Sequence, residues 1–124
     1  MMPDYVLDTN IFILLFNNQL DEVIPQGRLG FSVITEIELL SFSGLSDADE
    51  KLIQQHLQTL ARISLDQAVS QQTIVLRRQH RLKTPDAIVV ASALVADAVL
   101  ITNDQQLLGL DGVKIRALKM QRVG

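Results

Sequence analysis

Short runs of consecutive apolar residues alternate along the chain with longer stretches in which apolar residues recur every three or four positions; the first pattern predicts buried strands, the second helices. Residues 5–7 are an apolar run ending in Asp8, and residues 10–19 behind it are long and apolar enough for a helix. Residues 21–28, with Pro25 and Gly27, read as a turn-rich connection. A second strand follows over 29–34 and feeds a helix that starts at Thr35. Ser46, with Asp49 three residues on, marks another helix start, after which Leu52, Ile53, His56, Leu57 and Leu60 share one apolar face. Residues 62–65 alternate as a short strand, and Asp66 caps a helix running to about Leu82. Thr84 and Pro85 open the next helix, with Pro at its first helical position. From Ala87 to Ala96 nearly every residue is small or aliphatic, so this helix is covered on most sides. Residues 99–102 form a strand, 103–108 a short helix, Asp111 and Gly112 a turn, and 113–118 the last strand.

Strands that alternate with helices favour a parallel sheet with helices on both faces, joined by right-handed crossovers. The C-terminal ends of all its strands then share one edge, and chemistry is expected outside that edge. No internal repeat or boundary interrupts the pattern, so residues 1–124 are expected to form a single domain.

Composition narrows the chemistry. The 124 residues contain no Cys, which excludes disulfides, thiolate nucleophiles and Cys-rich zinc sites. His56 and His80 are the only imidazoles and lack the spacing of a zinc motif, so a metal site here is built from carboxylates and prefers a hard cation. His56 on its apolar face reads as a core or boundary residue, and His80 as solvated. The glycines form no phosphate-binding loop, and no Ser-His-Asp set is evident. The start lacks a positive leader region, and the longest apolar stretch, residues 87–101, is broken by Ser92 and Asp97 and is too short to span a bilayer. A cytoplasmic protein without a membrane anchor is expected. Net charge is −3, the wrong sign for gripping nucleic acid over the whole surface. Basic residues are nonetheless clustered, with Arg77, Arg78, Arg81 and Lys83 in one run and Lys114, Arg116, Lys119 and Arg122 near the C-terminus.

Four acids fall at the predicted sheet edge. Asp8 ends the first strand, Asp104 lies just past the fourth, Glu38 is in the first turn of the helix after strand two, and Asp86 opens the helix that leads to strand four. Each taken alone has a structural reading: Asp8 and Asp104 as helix caps, Asp86 as a complement to a helix N-terminus, Glu38 as partner of Thr35 in a capping box. Taken together they repel one another, and a divalent cation is the usual resolution. The run Arg77, Arg78, Arg81 and Lys83 could be the solvated face of a helix end. Directly before Asp86, it also supplies the positive charge that positions a phosphodiester backbone beside such a metal. Glu36 and Glu38 are about 200° apart around a helix, so only one can face the crevice. Glu38 falls between Phe42 and Leu45 on the wheel and Glu36 beside Ser43, which favours Glu38 as the carboxylate in need of a partner.

The segments Val6-Leu7-Asp8-Thr9-Asn10, Ser32 to Leu40, Leu82-Lys83-Thr84-Pro85-Asp86-Ala87 and Leu100-Ile101-Thr102-Asn103-Asp104 together resemble the PIN-domain family, and within it the VapC-like toxins of bacterial type II toxin-antitoxin systems. The resemblance covers nearly the whole chain. It implies a three-layer α/β/α domain with a five-stranded parallel sheet in order 3-2-1-4-5, a Mg²⁺ or Mn²⁺ ribonuclease site, homodimers and a cognate antitoxin. The family's acidic positions correspond to Asp8, Glu38, Asp86 and Asp104, as catalytic and metal-binding residues. Thr9 or Asn10 and Thr102 match polar positions that support the site. Many relatives carry a further acid and then Phe after Thr102-x-Asp104, where this chain has Gln106 and Leu107, which removes a possible accessory ligand. On this reading Asp8 and Asp104 are direct ligands, Glu38 and Asp86 are ligands or water-positioning groups, and the substrate is single-stranded or looped RNA. Two alternatives stand beside it. One is a catalytically silent domain of the same fold that binds RNA or protein, against which stands the retention of four acids. The other is aspartyl-phosphate phosphotransfer, which would need a second Asp where Asn10 stands.

Overall fold

The computed structural model describes residues 2–121. Five strands, β1 (Tyr5–Leu7), β2 (Leu29–Ser32), β3 (Ala61–Ile63), β4 (Val99–Ile101) and β5 (Ile115–Arg116), form one parallel sheet in the order 3-2-1-4-5. Six helices connect them: α1 (Thr9–Phe16), α2 (Val33–Leu40), α3 (Asp47–Gln58), α4 (Gln67–Gln79), α5 (Thr84–Val95) and α6 (Gln105–Leu108). β1 sits in the middle, with Val6 opposite Gly30 of β2 and Leu100 of β4. Alternation along each strand divides the core into two layers. Val6 and Leu100 pack with Val69 and Leu76 of α4 and Ile88 to Ala93 of α5, whereas Leu7, Phe31 and Ile101 pack with Ile11, Phe12, Leu39 and Ile53 on the opposite face. The layered α/β architecture and strand order expected from the family resemblance are those observed. Among the described residues no helix is long and apolar enough to cross a membrane.

Several element ends differ from the sequence expectation. The second strand stops at Ser32, not residue 34, because the Ser32 hydroxyl accepts from Ile34 N at 3.1 Å and starts α2 two residues early. Val33 and Ile34 are β-branched and read as strand, yet the cap decides. The helix expected from 10 to 19 ends at Phe16, and Asn18 takes a left-handed backbone, φ 55°, that carries the chain away. The fourth helix ends at Gln79 and not near Leu82: His80 is already extended, and Leu82 turns inward to the core while Arg81 and Lys83 sit in the connecting loop. The last strand shrinks from 113–118 to two residues. The most buried helix is α5, as its composition requires; its Ser92 satisfies itself by donating to Ile88 O at 2.7 Å.

Candidate functional site

The ends of β1 and β4 lie side by side, and the chain past each carries a polar cluster. Asp8 caps α1, accepting from Thr9 N at 2.8 Å through Oδ1. Its other oxygen accepts from Thr102 Oγ1 at 2.8 Å and from Asn10 Nδ2 at 3.1 Å. Thr102 is fully buried, and its hydroxyl also accepts from Asp104 N at 3.1 Å and from Asn10 Nδ2 at 3.2 Å, so every bonding position on that oxygen is used. Asp104 in turn caps α6, accepting from Gln106 N at 2.9 Å. On the other side, Thr9 Oγ1 donates to Glu38 Oε1 at 2.7 Å and lies 3.1 Å from the hydroxyl of the buried Thr35. Two threonines therefore tie Asp8 to its acidic neighbours, Thr9 to Glu38 and Thr102 to Asp104.

Asp86, in the first turn of α5, joins this group by charge. Its carboxyl is pushed above the usual carboxylate value by desolvation, then by the charges of Asp104 and Asp8, with Lys83 opposing. Asp8 is likewise pushed up, chiefly by burial and further by Glu38 and Asp104, against the bonds from Thr102 and Thr9 N. Among the described residues no three acids stand close enough to clasp one ion by themselves. The donor set still suits a hard cation, because Mg²⁺ commonly takes one or two carboxylates and keeps several waters. A cation would also relieve the repulsion that raises Asp8 and Asp86.

Glu36 and Glu38 part as expected. Glu36 accepts from Arg62 Nε at 3.1 Å, beside β3 and away from Asp8, while Glu38 meets Thr9. The helix cap is Ser32 and not Thr35, so Glu38 lies in the second turn of α2, outside any capping box. Phe42 and Leu45 are not on its helix at all, because α2 ends at Leu40; they approach Glu38 from the following loop, as walls of a groove of about 550 Å³. Ile13, Phe16, Leu39, Leu52 and Ile53 complete its apolar lining, and Glu38 and Asp49 are its charged members. Exposed Ile13, Phe42 and Leu52 lie far apart in sequence, and periodicity gave no warning that they meet.

The basic run is split by the end of α4. Arg77 and Arg78 occupy the helix's last turn, with Arg77 Nε donating to Leu82 O at 3.3 Å; Arg81 and Lys83 are exposed in the loop that leads to Asp86. In the C-terminal basic group Lys114 pairs with Asp97 and Arg116 with Glu22, at 3.0 and 2.8 Å, while Arg122 lies outside the described residues. Asn103, unremarked in the sequence, belongs to the cluster: its N–H donates to Asn10 Oδ1 at 3.1 Å.

Residues 5–113 match the PIN domain family. No curated protein sequence matches the chain. Among solved structures, a toxin-antitoxin complex from Klebsiella pneumoniae contains a chain 28% identical, with 90% of this chain and 95% of that chain covered and a TM-score of 0.75. A member of the VapBC family of toxin-antitoxin systems from Mycobacterium tuberculosis is 25% identical over 94% of this chain and 99% of that one, TM-score 0.67. A VapBC complex from Rickettsia felis, bound to a DNA fragment from its promoter, is similar in fold, with TM-score 0.79 at 18% identity over 93% and 98% of the two chains.

Proposed function

The chain belongs to the PIN domain family, and from that premise we propose that it is a Mg²⁺- or Mn²⁺-dependent ribonuclease, the toxin of a VapBC-type pair, acting in the cytoplasm as a single domain over residues 1–124. The observation that supports this most is the Asp8 hub, a buried carboxylate bonded through Thr9 toward Glu38 and through Thr102 toward Asp104, with Asp86 near enough for the charges of Asp104 and Asp8 to push its carboxyl up. Nothing in the packing of β1 or β4 needs four acids around one crevice, and their mutual repulsion makes the arrangement costly unless a cation or substrate group is bound there.

Asp8 and Asp104 would hold the metal, and Glu38 and Asp86 would hold it or a water. Such an ion supplies Lewis acidity, lowering the pKa of water and offsetting charge on a phosphodiester oxygen. The chain's own residues do the positioning. Thr102 and Asn10 fix one oxygen of Asp8 and Thr9 N fixes the other, so the carboxylate keeps one orientation. Glu38, oriented by Thr9 Oγ1, and Asp86 present further anionic oxygens able to accept a proton from an attacking water. Arg78, Arg81 and Lys83, exposed beside α5, together with Arg77, would hold backbone phosphates of an unpaired RNA strand.

A cognate antitoxin and a homodimer belong to the same reading. The groove beside Glu38 supports the antitoxin: it exposes Ile13, Phe42 and Leu52, and its two charged lining residues are both acidic, which suits an amphipathic segment with a basic side chain. The dimer rests on the family likeness and is read directly from the mass in solution.

The deciding experiment incubates purified, partner-free protein with a single-stranded RNA in Mn²⁺. Cleavage that EDTA abolishes and added Mn²⁺ restores is expected; cleavage indifferent to EDTA, or none at any metal concentration, overturns the assignment.

A further inference from the structure

The last backbone bond between β4 and β5 is Thr102 N to Arg116 O at 3.1 Å. Beyond it a side chain continues the ladder. Asn103 Nδ2 donates to Leu118 O at 2.9 Å, and Asn103 Oδ1 accepts from Leu118 N at 2.9 Å, so the amide stands in for a paired peptide. We propose that Asn103 is a positioning residue of the site, its clasp on the Leu118 backbone setting the orientation of Asn10 and, through Asn10, that of the Asp8 carboxylate. The role in catalysis rests on the ribonuclease reading; the positioning itself does not.

The chain of bonds is short and directional. With both halves of its amide held by Leu118, the Asn103 backbone has a fixed place, and its N–H donates to Asn10 Oδ1. An amide whose oxygen is engaged must present its NH₂ elsewhere, and Asn10 Nδ2 donates to Asp8 Oδ2 and Thr102 Oγ1. A flipped Asn10 would set its carbonyl oxygen against a carboxylate, which is unfavourable by electrostatics alone. Asn103 N–H therefore selects the orientation that Asp8 requires.

The far end of the clasp is itself anchored. Leu118 is buried at 3% exposure in the layer with Leu7 and Ile101. The residues after it are tied to the loop behind α1, by Asp21 N to Lys119 O at 2.8 Å, Gln121 N to Gln19 O at 2.9 Å, and Lys119 N to Glu22 Oε2 at 2.8 Å. Glu22 also takes Arg116 Nη2 at 2.8 Å. The segment 117–121 is thus a strap fixed to the body at both ends, firm enough to act as a reference for the loop that carries Thr102 and Asp104.

The test reads Asn10 directly. In metal-free protein, the side-chain amide protons of Asn10 are followed by NMR hydrogen exchange in the native chain, in Asn103→Ala, in Asn103→Asp and in Thr73→Ala. Thr73→Ala removes a buried hydroxyl bond in α4, away from the site, and controls for lost stability. Asn103→Ala is expected to speed Asn10 exchange at least about tenfold and Asn103→Asp, which keeps the acceptor for Leu118 N, by less, with Thr73→Ala unchanged. Equal protection in Asn103→Ala, or the same loss in Thr73→Ala, overturns the proposal whether or not the protein cuts RNA. Where cleavage is present, Asn103→Ala should lower kcat by about tenfold with KM within about twofold, and should cost nothing further when added to Asn10→Ala. Additive losses would show that Asn103 does not act through Asn10.

Discussion

The two halves of the acidic rim are built differently. On the β1–β4 side, both oxygens of Asp8 are engaged, by Thr9 N, Thr102 and Asn10, and Asp104 is held by its backbone N–H on Thr102 and by accepting from Gln106 N. On the α2–α5 side, Glu38 takes one side-chain bond, from Thr9, and among the described residues the Asp86 carboxylate takes none. The bonded half sits where strands end, and strand ends are fixed by the sheet on both sides. The open half rides on helices, whose side chains reach over the crevice with more freedom. A site so divided has a preorganised carboxylate and a pair of adjustable ones, which is what holding an ion and then accommodating a substrate around it would need.

Breaking the bonded half should cost most. Asp8→Asn removes the charge and also places an NH₂ where Asn10 Nδ2, held by Asn103 N–H, needs an acceptor. Cleavage of single-stranded RNA in Mn²⁺ is expected to fall by roughly a thousandfold or more, while circular dichroism keeps the native shape. Residual activity within a factor of ten would mean that the hub is only a helix cap.

The open half should cost less and discriminate between neighbours. Glu38→Gln is expected to lower kcat by roughly a hundredfold, because Gln keeps the bond from Thr9 but not the charge. Glu36→Gln loses only a half-exposed pair with Arg62, which contributes at most about 1 kcal/mol, and activity should stay within about twofold. The reverse ranking would place the crevice on the other side of α2.

That contrast also shows what was legible in the sequence. Asp8, Asp86 and Asp104 were readable because each stands at the boundary of a strongly patterned element, where periodicity and capping chemistry agree. Glu38 lies on the Thr9 side of α2, as the wheel expected, although that wheel used a helix two residues out of place at its start and five too long at its end; drawn through Phe42 and Leu45, it happens to point toward the groove they line. The ends of β2 and α4 were misread where β-branched residues and a basic run continue a pattern past the cap or break that stops it. The groove and the Asn103 clasp were invisible for another reason. They join residues 15 and more positions apart with no shared period, and only the topology brings them together.

Metal should act on both halves at once. Asp8 and Asp86 are held above their ordinary values first by desolvation and then by neighbouring acids, Glu38 and Asp104 acting on Asp8 and Asp104 and Asp8 on Asp86, so a bound cation removes an existing penalty. At a hundredfold excess of Mn²⁺ over its dissociation constant, the native state should gain about 2.7 kcal/mol, seen as a rise in the melting temperature. The gain should vanish in Asp8→Asn. An unchanged melting temperature throughout the titration would mean that the acids do not share an ion.

Beyond the rim, the basic run sharpens the division between holding and cutting. Arg78→Gln with Arg81→Gln removes two exposed cations and should raise KM several-fold with kcat little changed. If both contact phosphates, the slope of log binding constant against log salt for single-stranded RNA should become shallower by about 1.4. An identical slope would make the run a solvated helix end.

The smallest effect is on metal-free stability, and its sign follows from the open half. Asp86 has a native pKa raised above its unfolded value, first by desolvation and then by Asp104 and Asp8. Between those two values the native state binds the proton more tightly than the unfolded chain, so stability falls as pH rises through that window and the penalty is fully present at neutral pH. Asp8 acts in the same direction, whereas Glu22, held below the ordinary value chiefly by Lys119 N and Arg116, acts in the opposite one. Asp86→Asn isolates the contribution of the open half, because it removes charge without taking an acceptor from any bonded donor. The metal-free variant should be more stable than the native chain at pH 7, by less than about 1 kcal/mol given the partial exposure of Asp86, and the difference should disappear as pH falls below the unfolded value. Asp8→Asn should show no such gain, since its lost bonds from Asn10 and Thr102 oppose the relief of charge. Equal stabilisation by both variants in thermal melts across pH would erase the distinction between a bonded and an open half.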